Sequence, residues 1–129
     1  MESSKEPMSI VFAVRNDGTL GTLSYEKWQE VMGWGRWITD GDFESVCVLP
    51  SSTSSGEDNI YVVVNRTGGR YIERFDSSLF TDSSVTGTGA TATGLSHLEG
   101  KTVRILSDGI LRPDAVVSGG QVSVPGGGA

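Results

Sequence analysis

What most constrains this chain is its punctuation: tight-turn signals recur between short runs of alternating apolar residues. Asn16-Asp17-Gly18, Asp40-Gly41, Gly68-Gly69, Asp108-Gly109 and Gly119-Gly120 are the residue types that adopt the positive backbone angles of hairpin turns most readily. Long helices do not fit between them, because each glycine inside a helix costs about 1 kcal/mol relative to alanine. The spacing therefore predicts an all-β protein assembled from hairpins. Composition agrees, since 18 glycines accompany a hydrophobic share of only 36%, which suits short strands better than helices. At 129 residues the chain has the length of one domain, or of two very small ones.

Residues 1–7 are polar and are expected to fray. Residues 9–15 alternate, with Ile10, Phe12 and Val14 on one face and Val11 and Ala13 on the other, and residues 19–25 return as the partner strand. Trp28, Val31 and Met32 fit one helical turn, but Gly33 and Gly35 oppose a helix; residues 26–30 therefore read as a turn or short helical excursion and 31–37 as a strand. Thr39-Asp40-Gly41-Asp42 is read as a second hairpin turn leading into a strand over 43–49, and 51–59 as a solvated loop. Strands over 60–65 and 70–75 pair across Thr67-Gly68-Gly69, with Tyr71 and Glu73 facing opposite to Ile72 and Arg74.

Residues 8–75 thus form an antiparallel β module of propeller-blade-like hairpins. A Ser/Thr/Gly-rich connection follows over 76–94, with Leu79, Phe80 and Val85 as sparse apolar anchors. Residues 95–125 hold short strands at 102–107, 110–112, 114–118 and 121–124, expected to close into a small, partly open β-barrel because closure removes exposed edges. Residues 126–129 read as a flexible tail, a linker or cut end with one strand missing.

The formal charge of −6 argues against nucleic acid as a partner, which needs clustered Lys and Arg. No run approaches the roughly 20 apolar residues of a membrane helix, and MESSKEPM lacks the apolar core of a signal peptide; a soluble protein made in a reducing cytoplasm is expected. Cys47 is the only cysteine, so neither an intrachain disulfide nor a cysteine metal cluster forms. Lying in the apolar run SVCVLP, it is expected to be buried and inert. His97 has no nucleophile in an elbow and no second histidine for a metal pair, and is assigned a structural role.

Carboxylates such as Asp40, Asp42, Glu44, Glu57, Asp58, Glu73 and Asp82 fall mostly in turns, where aspartate supports the bend. Asp40-Gly41-Asp42 lacks the spacing of a calcium loop, and GTGATATG lacks the Gly-Lys-Ser/Thr of a phosphate loop. No catalytic residue, cofactor or metal is assigned, and the chain is not expected to be an enzyme. The sharper signal is aromatic. Trp34 and Trp37 are three apart, so on a strand one fills the core while the other faces a partner.

The residues Arg15-x-Asp17-Gly18-x-Leu20, then Gln29-Glu30-Val31-x-x-Trp34-x-Arg36, Gly41-x-Phe43-Glu44-Ser45-Val46, and Val64-x-Arg66 followed by Arg70-Tyr71-Ile72-Glu73-Arg74, occur in that order. In combination this series resembles a strand module of tail proteins, of tail-nozzle type, from tailed bacteriophages and prophages. The following LSHLEGKTVRILSDGILRPDAVVSGGQVSVP is similar to the small barrel that comes next in those proteins, sometimes labelled as a region like the first catalytic-cysteine half-domain of ubiquitin-activating enzymes. The resemblance covers about residues 8–125. Members of that family are longer on both sides, which implies an excised domain or a truncated prophage product.

The resemblance implies a structural virion component located in the tail, a homo-oligomer in the assembled particle, with other tail subunits as partners. Aromatic and arginine enrichment at interfaces singles out Trp34, Arg36, Trp37, Arg70, Tyr71 and Arg74 as the assembly face. A carbohydrate- or receptor-binding module is the first alternative. A polysaccharide hydrolase using a pair such as Asp40 and Glu44 is the second.

Overall fold

The computed structural model describes residues 2–4, 9–26, 30–50 and 58–126. It is all-β, and its sheets are antiparallel. The chain divides into two compact units, the first running to Asp82 apart from the turn Thr67–Gly69, the second beginning at Ser83.

In the first unit β1 (Glu2–Ser4), β2 (Ser9–Val14), β3 (Leu20–Glu26) and β4 (Val31–Trp37) form a four-stranded sheet in sequence order. The β2–β3 hairpin turns as its residues dictate. Gly18 adopts φ 75°, and Asp17 accepts hydrogen bonds from the Thr19 amide and hydroxyl. A side chain at position 18 would also run into the Asp42 carboxylate. β4 occupies the residues expected of it, so the glycines did block a helix there. The excursion expected over 26–30 falls largely on residues 27–29, outside the described residues together with Trp28; Glu30 closes it at φ 51°.

β5 (Asp42–Leu49), β6 (Asn59–Arg66) and β7 (Gly69–Arg74) form a second, three-stranded sheet. Thr39–Asp42 is therefore a corner between sheets, a correction to the hairpin expected there. Gly41, at φ 139°, turns the chain so closely over β6 that a Cβ would stand 2.6 Å from the Asn65 carbonyl. The Phe43 amide then donates to the Gly18 carbonyl at 2.9 Å, tying the first hairpin to the start of β5. Most of the expected loop at 51–59 lies outside the described residues.

The two sheets bury one core between them: Phe12, Leu20, Phe43, Val62 and Val64, with Ile10, Val14, Val46, Val48, Ile60 and Phe75 packed against it. Trp37, 36% exposed, packs at the margin of this core from β4, edge-on to Phe12 (ring centroids 5.7 Å apart) and to Phe75 (4.6 Å), in the T-shaped geometry that suits ring quadrupoles.

Cys47 is exposed, not buried as expected. The register of β5 against β6 slips between Phe43 and Ser45. This bulge inserts one residue and inverts the alternation beyond it, so Phe43 faces the core but Val46 and Val48 do so after it. Without the bulge, strict alternation from Phe43 would have turned Cys47 inward. In the native protein the thiol is expected to react fully with a soluble disulfide reagent before any denaturant is added; labelling only on unfolding would show the bulge to be misplaced.

In the second unit β9 (Thr102–Ser107) pairs with β10 (Ile110–Val116), and β8 (Thr91–Thr93) with β11 (Gln121–Ser123). Leu95, Ile105, Val117 and Val122 are its buried core. Its strands pair as two two-stranded ribbons. Asp108-Gly109 and Gly119-Gly120 have positive φ at both positions, the signature of the hairpin turn whose twist matches the strands. Glu99 caps the second turn, its carboxylate accepting the Gly119 and Gly120 amides at 2.9 and 2.7 Å. The strands expected at 110–112 and 114–118 are one strand, β10, whose register breaks between Arg112 and Ala115; Pro113, lacking an amide to donate, sits in that break. Phe80, expected as an anchor, is 95% exposed.

Candidate interaction surface

Strand register places the outward side chains of the first sheet in rows. Val11 pairs with Leu23, and Leu23 with Trp34; Ser9 pairs with Tyr25, and Tyr25 with Met32; Ala13 pairs with Gly21, and Gly21 with Arg36. These residues alternate with the core-facing Ile10, Phe12, Val14 and Leu20, so they share the opposite face. Trp34 is 77% exposed, Met32 65% and Tyr25 44%. A soluble surface carries scattered apolar residues as a matter of course, but a contiguous group of large ones marks an interaction site.

One end of this apolar strip is charged. Arg15 and Asp17 pair at 3.2 Å, and both Arg15 and Arg36 contribute to holding the Asp17 carboxyl below its usual range, after the larger effect of the two hydrogen bonds from Thr19. Apolar centre and arginine-bearing rim are the usual anatomy of a protein-binding patch.

The residues singled out in the sequence do not form one cluster. Trp34 and Arg36 lie on the outer face of the four-stranded sheet. Trp37 points the other way, into the aromatic group with Phe12 and Phe75. Arg70 and Arg74 project from β7 in the other sheet and have partners in their own chain: Arg70 grips Glu44 through two hydrogen bonds of 2.7 and 3.0 Å, and Arg74 lies 3.9 Å from Asp76. Tyr71 alternates with them and is half-buried. Sequence reasoning passed over Met32 and Tyr25. The available signal was parity: Met32 stands two residues before Trp34 and so shares its face.

Residues weighed for chemistry are engaged structurally. Hydrogen bonding to Arg70 holds the Glu44 carboxyl below its usual range, the opposite of what a general acid needs. The Asp40 carbonyl accepts from Arg66 at 2.6 Å. His97 Nε2 lies 3.1 Å from the Ser83 carbonyl oxygen, within the second unit.

Acid should weaken the fold through its turns. Asp17 and Asp76 are both lowered, by hydrogen bonds from Thr19 and Ser78 respectively. A carboxyl lowered in the folded state contributes stability above its unfolded value and loses it as pH falls through the folded one. The urea midpoint is therefore expected to hold from neutrality to about pH 5 and to fall below about pH 4. Asp17→Asn should flatten that fall; an unchanged acid limb would remove Asp17 from the account.

No protein-family model matches the chain, and no curated protein sequence does so either. The fold and surface define an all-β protein with an exposed aromatic face on one sheet.

Proposed function

We propose that this chain is a structural component of a bacteriophage or prophage tail that works by protein–protein assembly and not by catalysis. The observation that carries the reading is Trp34: a tryptophan on a regular seven-residue strand, 77% exposed, flanked on its own face by Met32 and Tyr25 and rimmed by Arg36. Burying such a group against a neighbouring subunit is strongly favourable, since tryptophan and arginine dominate binding energy at interfaces. The resemblance of the 15–74 motifs to tail proteins supplies the particle. Its partners would be other tail subunits and further copies of itself. The test is to purify particles from a producing lysogen and identify their proteins by mass spectrometry. The chain should be present, and Trp34→Ala should reduce its incorporation. A chain absent from particles, or incorporated equally well without Trp34, defeats the proposal.

Trp34 beside Tyr25 also suits a sugar platform, which keeps a carbohydrate- or receptor-binding role as the second reading. Host-surface polysaccharide should then quench tryptophan fluorescence in the wild type and not in Trp34→Ala.

A further inference from the structure

We infer that β4 pairs antiparallel with β4 of a second copy of this chain, about a two-fold axis at Trp34. The inference deepens the assembly reading above by naming the partner and the contact, yet its test needs no particle.

Among the described residues β4 is an edge: the sheet order ends on it. It pairs with β3 over all seven residues without a register shift, and its one charged residue is Arg36. Natural edges are usually shortened, bulged, or armed with lysine or proline. β4 is seven residues long, unbulged and free of lysine and proline, with Arg36 its one charge, so its outer backbone offers a template.

The residue pattern says what fits the template. Around Trp34 the central five residues read alike in both directions by size, though the end residues Val31 and Trp37 do not: Gly33 and Gly35 flank it, and Met32 and Arg36, both long and flexible, come next. A two-fold contact demands this self-complementarity. Antiparallel pairing centred on Trp34 sets it against the partner's Trp34, Gly33 against the partner's Gly35, and Met32 against the partner's Arg36. Directly opposite residues share a face, so the row Val11–Leu23–Trp34 continues without a break into the same row of the second copy. The guanidinium of the partner's Arg36 then lies over Met32 and towards Tyr25, whose ring face attracts a cation. No like charges meet, although each chain carries a formal −6. One strand edge buries less than the ~1,600 Å² of a standard interface, so the dimer is weak and reversible by itself and gains in an assembly from its neighbours.

Sedimentation velocity of the full chain over a concentration series reads this directly. The wild type should pass reversibly from monomer to dimer. Trp34→Lys places two ammonium groups opposite each other at the axis and should give monomer throughout, with an unchanged circular dichroism spectrum and urea midpoint. Met32→Glu is the sharper variant: it sets a carboxylate against the partner's Arg36 twice by symmetry and should tighten the dimer about fivefold. Hydrogen exchange should show β4 amides gaining protection with concentration.

A wild type that stays monomeric to about 1 mM, a dimer that Trp34→Lys leaves intact, or a dimer that Met32→Glu weakens would each overturn the inference. So would a chain whose β4 gains protection only when a different tail subunit is added, which would assign the edge to that subunit. Dimers in solution from a chain absent from particles would support this contact and count against the virion reading alone.

Discussion

Glu73→Ala is expected to lower the unfolding free energy by about 3 kcal/mol, among the largest losses available to a surface-reaching residue in this chain. The cause lies in its partner. Arg66 is buried to 2% side-chain exposure, on β6 in line with the core residues Val62 and Val64. Glu73 meets its guanidinium fork with two hydrogen bonds, 2.6 Å to Nε and 2.7 Å to Nη2, and the Asp40 carbonyl takes Nη1 at 2.6 Å. Without Glu73 the cation keeps one neutral acceptor and only the weaker, unbonded charges of Asp82 and Asp40. It has no escape by losing its proton, because arginine remains protonated in proteins.

The reverse deletion is milder. Arg66→Met leaves a glutamate that retains 26% side-chain exposure and regains water, so a loss of about 1–2 kcal/mol is expected. Removing both charges together, in Arg66→Met with Glu73→Leu, should recover most of the loss, as replacing a buried pair by packed apolar groups often does. Urea unfolding of the three variants measures all of this. A double variant as unstable as Glu73→Ala would show that the pair contributes through shape and not charge.

How much of this was legible beforehand follows from what each signal depends on. β4 and the β6–β7 hairpin were readable because alternation and turn glycines are local; so were the twists at Asp108-Gly109 and Gly119-Gly120. The corner at Gly41 was not, because Asp-Gly marks a reversal without saying whether the next strand joins the same sheet. That depends on the close approach of Gly41 to Asn65, residues far apart in the chain. Cys47 was misjudged for a related reason. A bulge after Phe43 leaves no trace in composition, yet it inverts every later residue of β5. β8 went unseen because Thr91-Ala92-Thr93 offers one small apolar residue and takes its order from pairing with β11. At the site, opposite facing of Trp34 and Trp37 was visible from their spacing, but neither fills the core: Trp37 packs at its margin against Phe12 and Phe75 and stays 36% exposed.

Those two faces give the second large prediction. Phe12 is fully buried, edge-on to Trp37 and stacked on Phe75 with ring centroids 6.5 Å apart. Phe12→Ala is expected to cost about 3–5 kcal/mol, because the cavity it opens is held apart by two other rings and a rigid sheet on each side. That is most of the 5–15 kcal/mol by which a domain is normally stable. Trp34→Ala, on the same sheet and larger in the atoms removed, should change stability by no more than about 0.5 kcal/mol, since its ring already faces water. Equilibrium urea unfolding, followed by circular dichroism, compares the two. A Trp34→Ala loss above about 1.5 kcal/mol would mean that the ring supports its own fold, and the assembly reading would lose its anchor. If the contrast holds, the fold does not account for a tryptophan at position 34, and its apolar surface is left for whatever binds the outside of the sheet.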